Sequence, residues 1–164
     1  MGARSARRLL GLTLATWFGS GNLPGAPGTW GSLAAVPVAW AIMWAGDVFV
    51  LLGATAAVFV IGCWASAVYM RETGRTDPGP VVIDEVAGQW LTLIPAATGV
   101  WWHWPVGFLL FRVFDIVKPW PVGWADRRIK GGLGVMADDV LAAVYAGLTL
   151  YVIIVATGGT PSVL

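Results

Sequence analysis

Residues 48–70, VFVLLGATAAVFVIGCWASAVYM, pass without one Asp, Glu, Lys or Arg. About 20 such residues are enough to cross the hydrocarbon core of a bilayer, so this stretch predicts a membrane-spanning helix. Residues 140–157, VLAAVYAGLTLYVIIVAT, read the same way. Shorter apolar stretches at Ser32–Gly46, Val86–Trp102 and Pro105–Val117 bring the expected spans to five. Pro37 is tolerable near the start of the first of these. The last two are short enough to make a tilted or partly recessed hairpin turning at WWHWP. With 57% hydrophobic residues, 12% charged and a mean hydropathy of +0.74, the chain has more apolar surface than a soluble domain this size can hide. A net charge of +1 argues against a nucleic-acid partner. No repeat or linker divides the sequence. The expectation is all-α: one multi-pass membrane bundle over residues 1–164.

Basic residues then an apolar run, Leu9–Phe18, imitate a signal peptide, but a glycine-rich loop and further apolar segments follow. Residues 5–18 therefore read as an interfacial or partly inserted helix. Lys and Arg fall only in alternate connections: Arg4, Arg7 and Arg8; Arg71 and Arg75; Lys118, Arg127, Arg128 and Lys130. The connections around Asp47 and His103 have none. By the positive-inside rule the N-terminus is cytoplasmic and the C-terminus outside. Trp101, Trp102 and Trp104 then belong to the outer interface, and Trp120 and Trp124 to the inner one. The lone cysteine, Cys63, permits no disulfide framework.

Two pairs of adjacent acids, Asp84–Glu85 and Asp138–Asp139, stand at the cytoplasmic mouths of apolar segments. Helix capping explains one acid per helix, at about 0.3–1 kcal/mol each. Neighbouring residues point about 100° apart, so a second acid is free to face the interior. Four carboxylates on one membrane face repel one another unless a cation sits among them, and oxygen ligands favour a hard ion such as Mg²⁺. The stretch FRVFDIVKPWP adds Arg112, Asp115 and Lys118 at i,i+3 spacing. Ionisable groups at membrane depth usually mark function, the plain alternative being an Arg112–Asp115 pair that locks the hairpin.

The uncharged loop GSGNLPGAPGTWGS, residues 19–32, has glycines whose N–H groups are able to form a phosphate nest, or simply to make a flexible connection. It lacks the Gly-Lys-Ser/Thr ending of a P-loop. Among phosphate chemistries, a cysteine phosphatase needs Arg where Tyr69 stands; Asp-x-Asp is absent, and so is the paired aspartate pattern of CDP-alcohol transferases. A histidine mechanism has only His103, on the opposite face. Carboxylate-held metal with Arg and Lys clamps remains.

The stretches GSGNLPGAPGTWGSLAA, VVIDEVAGQWLTL and FRVFDIVKPWPVGWADRRIKGGLGVMADDVLA, in this order, resemble the phosphatidylglycerophosphatase A family of bacterial membrane lipid phosphatases. The resemblance implies Mg²⁺-dependent hydrolysis of the terminal phosphomonoester of phosphatidylglycerol phosphate at the cytoplasmic face of the inner membrane. It places the acidic motifs at Asp84, Glu85, Asp115, Asp138 and Asp139. On this expectation Glu85, Asp138 and Asp139, with Asp84 or Asp115, hold one or two Mg²⁺ ions. Arg112, Lys118 and Arg127 clamp phosphate, and the loop, through Asn22, Gly28, Thr29, Gly31 and Ser32, cradles the headgroup. Attack by water and attack by an aspartate both stay open. The rival classes are a small transporter or channel subunit, which needs polar residues running through to the outer face, and a scaffold for lipid synthesis, which needs no clustered acids.

Overall fold

The computed structural model describes residues 2–76, 78–98 and 100–161; among these most are helical and none forms a strand. Seven α-helices follow one another: α1 (Gly2–Ala15), α2 (Pro27–Ala45), α3 (Val48–Thr73), α4 (Ile83–Leu93), α5 (His103–Val117), α6 (Val122–Arg128) and α7 (Gly131–Ala156). Two of them, α3 and α7, are long and apolar enough to cross a membrane, at 26 residues each. At 1.5 Å per residue that is about 39 Å, against a hydrocarbon core of about 30 Å.

Local chemistry sets the boundaries. Pro27 occupies the first turn of α2, where its missing N–H costs nothing. Asp47 caps α3, its carboxylate accepting from the Phe49 and Val50 N–H groups at 2.8 and 3.0 Å. Gly74, with a positive φ of 71°, ends that helix.

The short helix α4 is the hub. Ile83, Val86, Ala87, Gly88, Gln89, Trp90, Thr92 and Leu93 are all buried, because α2, α3, α5 and α7 pack around it. Trp90 donates its indole N–H to the Ala35 carbonyl of α2 at 2.9 Å, while Leu93 and Val86 join Ala35, Ala39, Leu51, Leu150 and Ile154 in the main apolar core. The stretch expected as one segment, Val86–Trp102, is therefore two things. Its helix stops at Leu93 and a 3-10 turn, Ile94–Thr98, precedes α5; residue 99 lies outside the described residues.

The helix α1 runs antiparallel to the end of α3. Arg8 pairs with Glu72 at 3.0 Å, Gly11 abuts Val68, and Ala15 packs with Ala65. With 14 residues, about 21 Å, it is too short to cross a bilayer. At the far end of the bundle lies a hollow of ≈ 550 Å³ walled by Trp40, Trp44, Trp101, Trp104 and Met43.

Candidate active site

Five helix ends meet at the other extremity: the starts of α2, α4 and α7 and the finishes of α3 and α5. Between them opens a cavity of ≈ 560 Å³ whose wall carries six carboxylates: Asp84, Glu85, Asp115, Asp126, Asp138 and Asp139. Lys118, Arg127 and Lys130 line it too.

Asp84 and Glu85 stand in the first turn of α4, where Asp84 Oδ1 accepts the Glu85 N–H at 3.0 Å. Asp139 arrives from α7 because Gly88 lets α4 press close: a Cβ there would lie 3.1 Å from the Asp139 carbonyl and collide with Phe111. One carboxylate oxygen each from Asp84, Glu85 and Asp139 then fall within 4.8 Å of one another. Asp139 is 4% exposed, and its Oδ2, like Glu85 Oε2, has no hydrogen-bond partner among the described residues. Buried carboxylate oxygens left without a partner are costly. Oxygens at about 2.1 Å from Mg²⁺ stand roughly 3–4 Å apart, so the three residues fit a small hard cation.

The second pair does not open its helix. The helix α7 begins at Gly131 with Lys130 as its cap, which puts Asp138 and Asp139 two turns inside it, with no free N–H to cap. Expecting a helix start at Val140 overlooked GGLGVMA, whose small residues let α7 lie against its neighbours: a Cβ on Gly132 would strike the Cys63 carbonyl of α3, and one on Gly134 the Ile129 carbonyl.

Arg112 reaches both sides of the cluster, 2.8 Å from Asp115 Oδ2 and 3.7 Å from Glu85 Oε1. Its Nη1 also donates to Ser32 Oγ at 3.4 Å, and Ser32 in turn donates to the Gly28 carbonyl at 2.8 Å. Lys118 ends α5 in the left-handed region, φ 46°, which swings its ammonium across to Asp126 at 2.8 Å and Asp138 at 2.6 Å. Partial burial works against its charge, yet the hydrogen bonds to these two carboxylates and their negative charge hold the Lys118 ammonium above the ordinary lysine range. The Lys118 hydrogen bond in turn holds Asp126 below the usual carboxylate range, against a smaller opposing effect of burial. Asp126 is hard to single out from sequence because ADRRIK resembles a solvated charge run; its only signal is one acid among three cations.

The glycine-rich loop divides. Ser20–Asn22 form a 3-10 turn, and Gly28–Ser32 belong to the first turns of α2. Gly28 touches Glu85 and Arg112, and Gly31 packs on Val82. Thr29 follows Gly28 in the first turn of α2 and is half-buried. Asn22 does not join the cluster: it lines a separate hollow with Thr16, Tyr69 and Thr73. These glycines serve close helix approach, so the expectation of a continuous N–H nest gives way to a helix start. Arg127 lines the cavity from an exposed position.

Clustered carboxylates edged by guanidinium and ammonium groups, carried by an apolar helical bundle, are the equipment of a membrane-type phosphatase. The chain belongs to the phosphatidylglycerophosphatase A family, whose profile, described as "Phosphatidylglycerophosphatase A", matches residues 13–154, and it is a phosphatase. It is 41% identical over 145 residues to phosphatidylglycerophosphatase A of Escherichia coli, covering 85% of this chain and 81% of that one. To the protein of the same name from Haemophilus influenzae it is 40% identical over 141 residues, 85% and 86% of the two chains. A Bacteroides thetaiotaomicron relative, provisionally named phosphatidylinositol-3-phosphatase, is 42% identical over 149 residues, 87% and 92%. No solved structure matches the chain.

Proposed function

We propose that the protein hydrolyses the terminal phosphomonoester of phosphatidylglycerol phosphate to phosphatidylglycerol and inorganic phosphate. It does so as a multi-pass protein of the bacterial inner membrane, with the cavity on the cytoplasmic side. The observation that carries this reading is the meeting of Asp84, Glu85 and Asp139 within 4.8 Å, two of them with bare buried oxygens, in a chain of this family.

Asp84, Glu85 and Asp139 would hold a divalent ion such as Mg²⁺. Such an ion supplies Lewis-acid polarisation of the phosphoryl oxygens and a lowered pKa for water. Arg112, already braced by Asp115 and Ser32, orients the phosphate, with Arg127 adding charge at the mouth. The first-turn N–H groups of α2, at Gly28 and Thr29, receive a headgroup oxygen. In the reaction a water oxygen bonds to phosphorus as the ester P–O bond breaks. Asp115 accepts the water proton, and the departing glycerol alkoxide takes one from solvent. One water is consumed, and the charge developing on phosphate is met by groups already in place.

The ion-path reading is disfavoured because, among the described residues, the far hollow is walled by tryptophans and carries no ionisable side chain. The test is phosphate release by the detergent-purified chain. Phosphatidylglycerol phosphate should be cleaved, activity should vanish in EDTA and return with Mg²⁺, and Asp139→Asn should lower the rate at least 100-fold with melting unchanged. Full activity in EDTA removes the metal, and faster turnover of a phosphoinositide transfers the substrate assignment to that headgroup. Trapped phosphoenzyme would replace water by an aspartate as the attacking group.

A further inference from the structure

We infer that the cavity is built for one divalent ion, because the Lys118 ammonium stands where a second would otherwise bind. The inference rests on the reading of Asp84, Glu85 and Asp139 as the holders of the first ion. Asp138 and Asp139 are chain neighbours that serve different cations. Asp139 brings one carboxylate oxygen within 4.8 Å of those of Asp84 and Glu85 and has a bare, buried Oδ2, whereas Asp138 Oδ2 accepts from the Lys118 ammonium at 2.6 Å. The same ammonium takes Asp126 Oδ1 at 2.8 Å, so it bridges α6 and α7 as a metal ion shared between two carboxylates would.

Paired metal ions in phosphatases lie about 3.5–4 Å apart and share a clamp on the attacking and leaving oxygens. Adjacent acids on one helix, each facing its own cation, are the kind of arrangement that serves such a pair, and here one member is supplied by the chain. An ammonium has three donors and a fixed single charge, so with two donors spent on carboxylates it keeps one for a phosphoryl oxygen. The backbone supports this placement: Lys118 leaves α5 with φ 46°, in the left-handed region uncommon for non-glycine residues, and its side chain reaches Asp126 and Asp138 at the cavity.

Removing the ammonium should vacate a second oxygen-lined cation position between Asp126 and Asp138. The measurement is Mn²⁺ binding to the full-length chain in detergent, without substrate, counting bound ions by electron paramagnetic resonance and checking by calorimetry. One ion per chain is expected for the wild type and for Lys118→Arg, two for Lys118→Gln, and one again for Lys118→Gln combined with Asp126→Asn. Two ions on the wild type overturn the inference while leaving the metal reading intact, and so does a single ion on a Lys118→Gln protein that melts cooperatively. If Lys118→Gln fails to fold, Lys118→Met replaces it under the same criteria. No ion on the wild type overturns both readings.

Discussion

Glu85 is held on one side by Arg112 and on the other by the absence of a side chain at Gly28. A methyl group there would meet the Glu85 carboxylate and lie 3.0 Å from Arg112 Nη1. Both obstacles are flexible side-chain ends, so Gly28→Ala should displace the carboxylate cheaply and leave the helix sound. Alanine in place of glycine favours a helix by up to about 1 kcal/mol. We therefore expect phosphate release to fall about tenfold while the melting temperature holds or rises; an unchanged rate would show that Glu85 need not stand where it does. The Lys118 bridge predicts a pH response with a definite sign. Asp126 titrates below its unfolded value, so its contribution to stability is present above the ordinary aspartate range and is lost as pH falls through its depressed pKa. Lys118 titrates above its unfolded value, so its contribution is present below about pH 10.4 and is lost as pH rises through the raised pKa. Unfolding in detergent across pH should show both limbs in the wild type, a weaker acid limb in Asp126→Asn and a weaker alkaline limb in Lys118→Met. The acids at 84, 85, 138 and 139 were legible in the sequence because nothing about an apolar helix asks for two of them. Asp126 was not, since its role depends on a lysine eight residues away turning back from a left-handed backbone.

At the scale of elements, α3 was the plainest, a charge-free run over residues 48–70 that the helix extends by one turn through Arg71 and Glu72 before Gly74 ends it. The limits of α4 and α7 were harder. Apolar residues continue past Leu93, so hydropathy alone extends a helix that packing ends. For α7 the reverse holds: glycines read as a loop, yet Gly132 is helical because it meets α3 backbone to backbone, at the Cys63 carbonyl and the Ala67 nitrogen. Neither atom is able to rotate away. Gly132→Leu should force α7 off α3 and destabilise the fold by about 1–3 kcal/mol, as overpacking does. Gly53→Leu, in the same α3 with open space beside it, is the matched control and should be nearly neutral in thermal unfolding. Equal losses in the two variants would mean that the α3–α7 contact contributes little.

Across the whole molecule, α2, α4 and α7 start, and α3 and α5 finish, around the carboxylates. Which end faces the cytoplasm rests on the Lys and Arg distribution and is open to direct measurement. With Cys63→Ser as background, single cysteines at Lys130 and Trp101 should react with an impermeant maleimide only in inside-out and only in right-side-out vesicles, respectively; the converse pattern would invert the topology. The outer surface is otherwise greasy, with Trp44, Phe49, Val60, Leu148 and Val152 more than half exposed. Polar chemistry is instead gathered at one end, where α4, the helix that α2, α3, α5 and α7 pack around, supplies Asp84 and Glu85. A small molecule seating itself against Asp84 and Glu85 would be fastened to the keystone of the bundle. Inhibitor screening against this enzyme accordingly needs no lipid substrate, because occupancy would register as resistance to heating that rises with the logarithm of concentration over Kd.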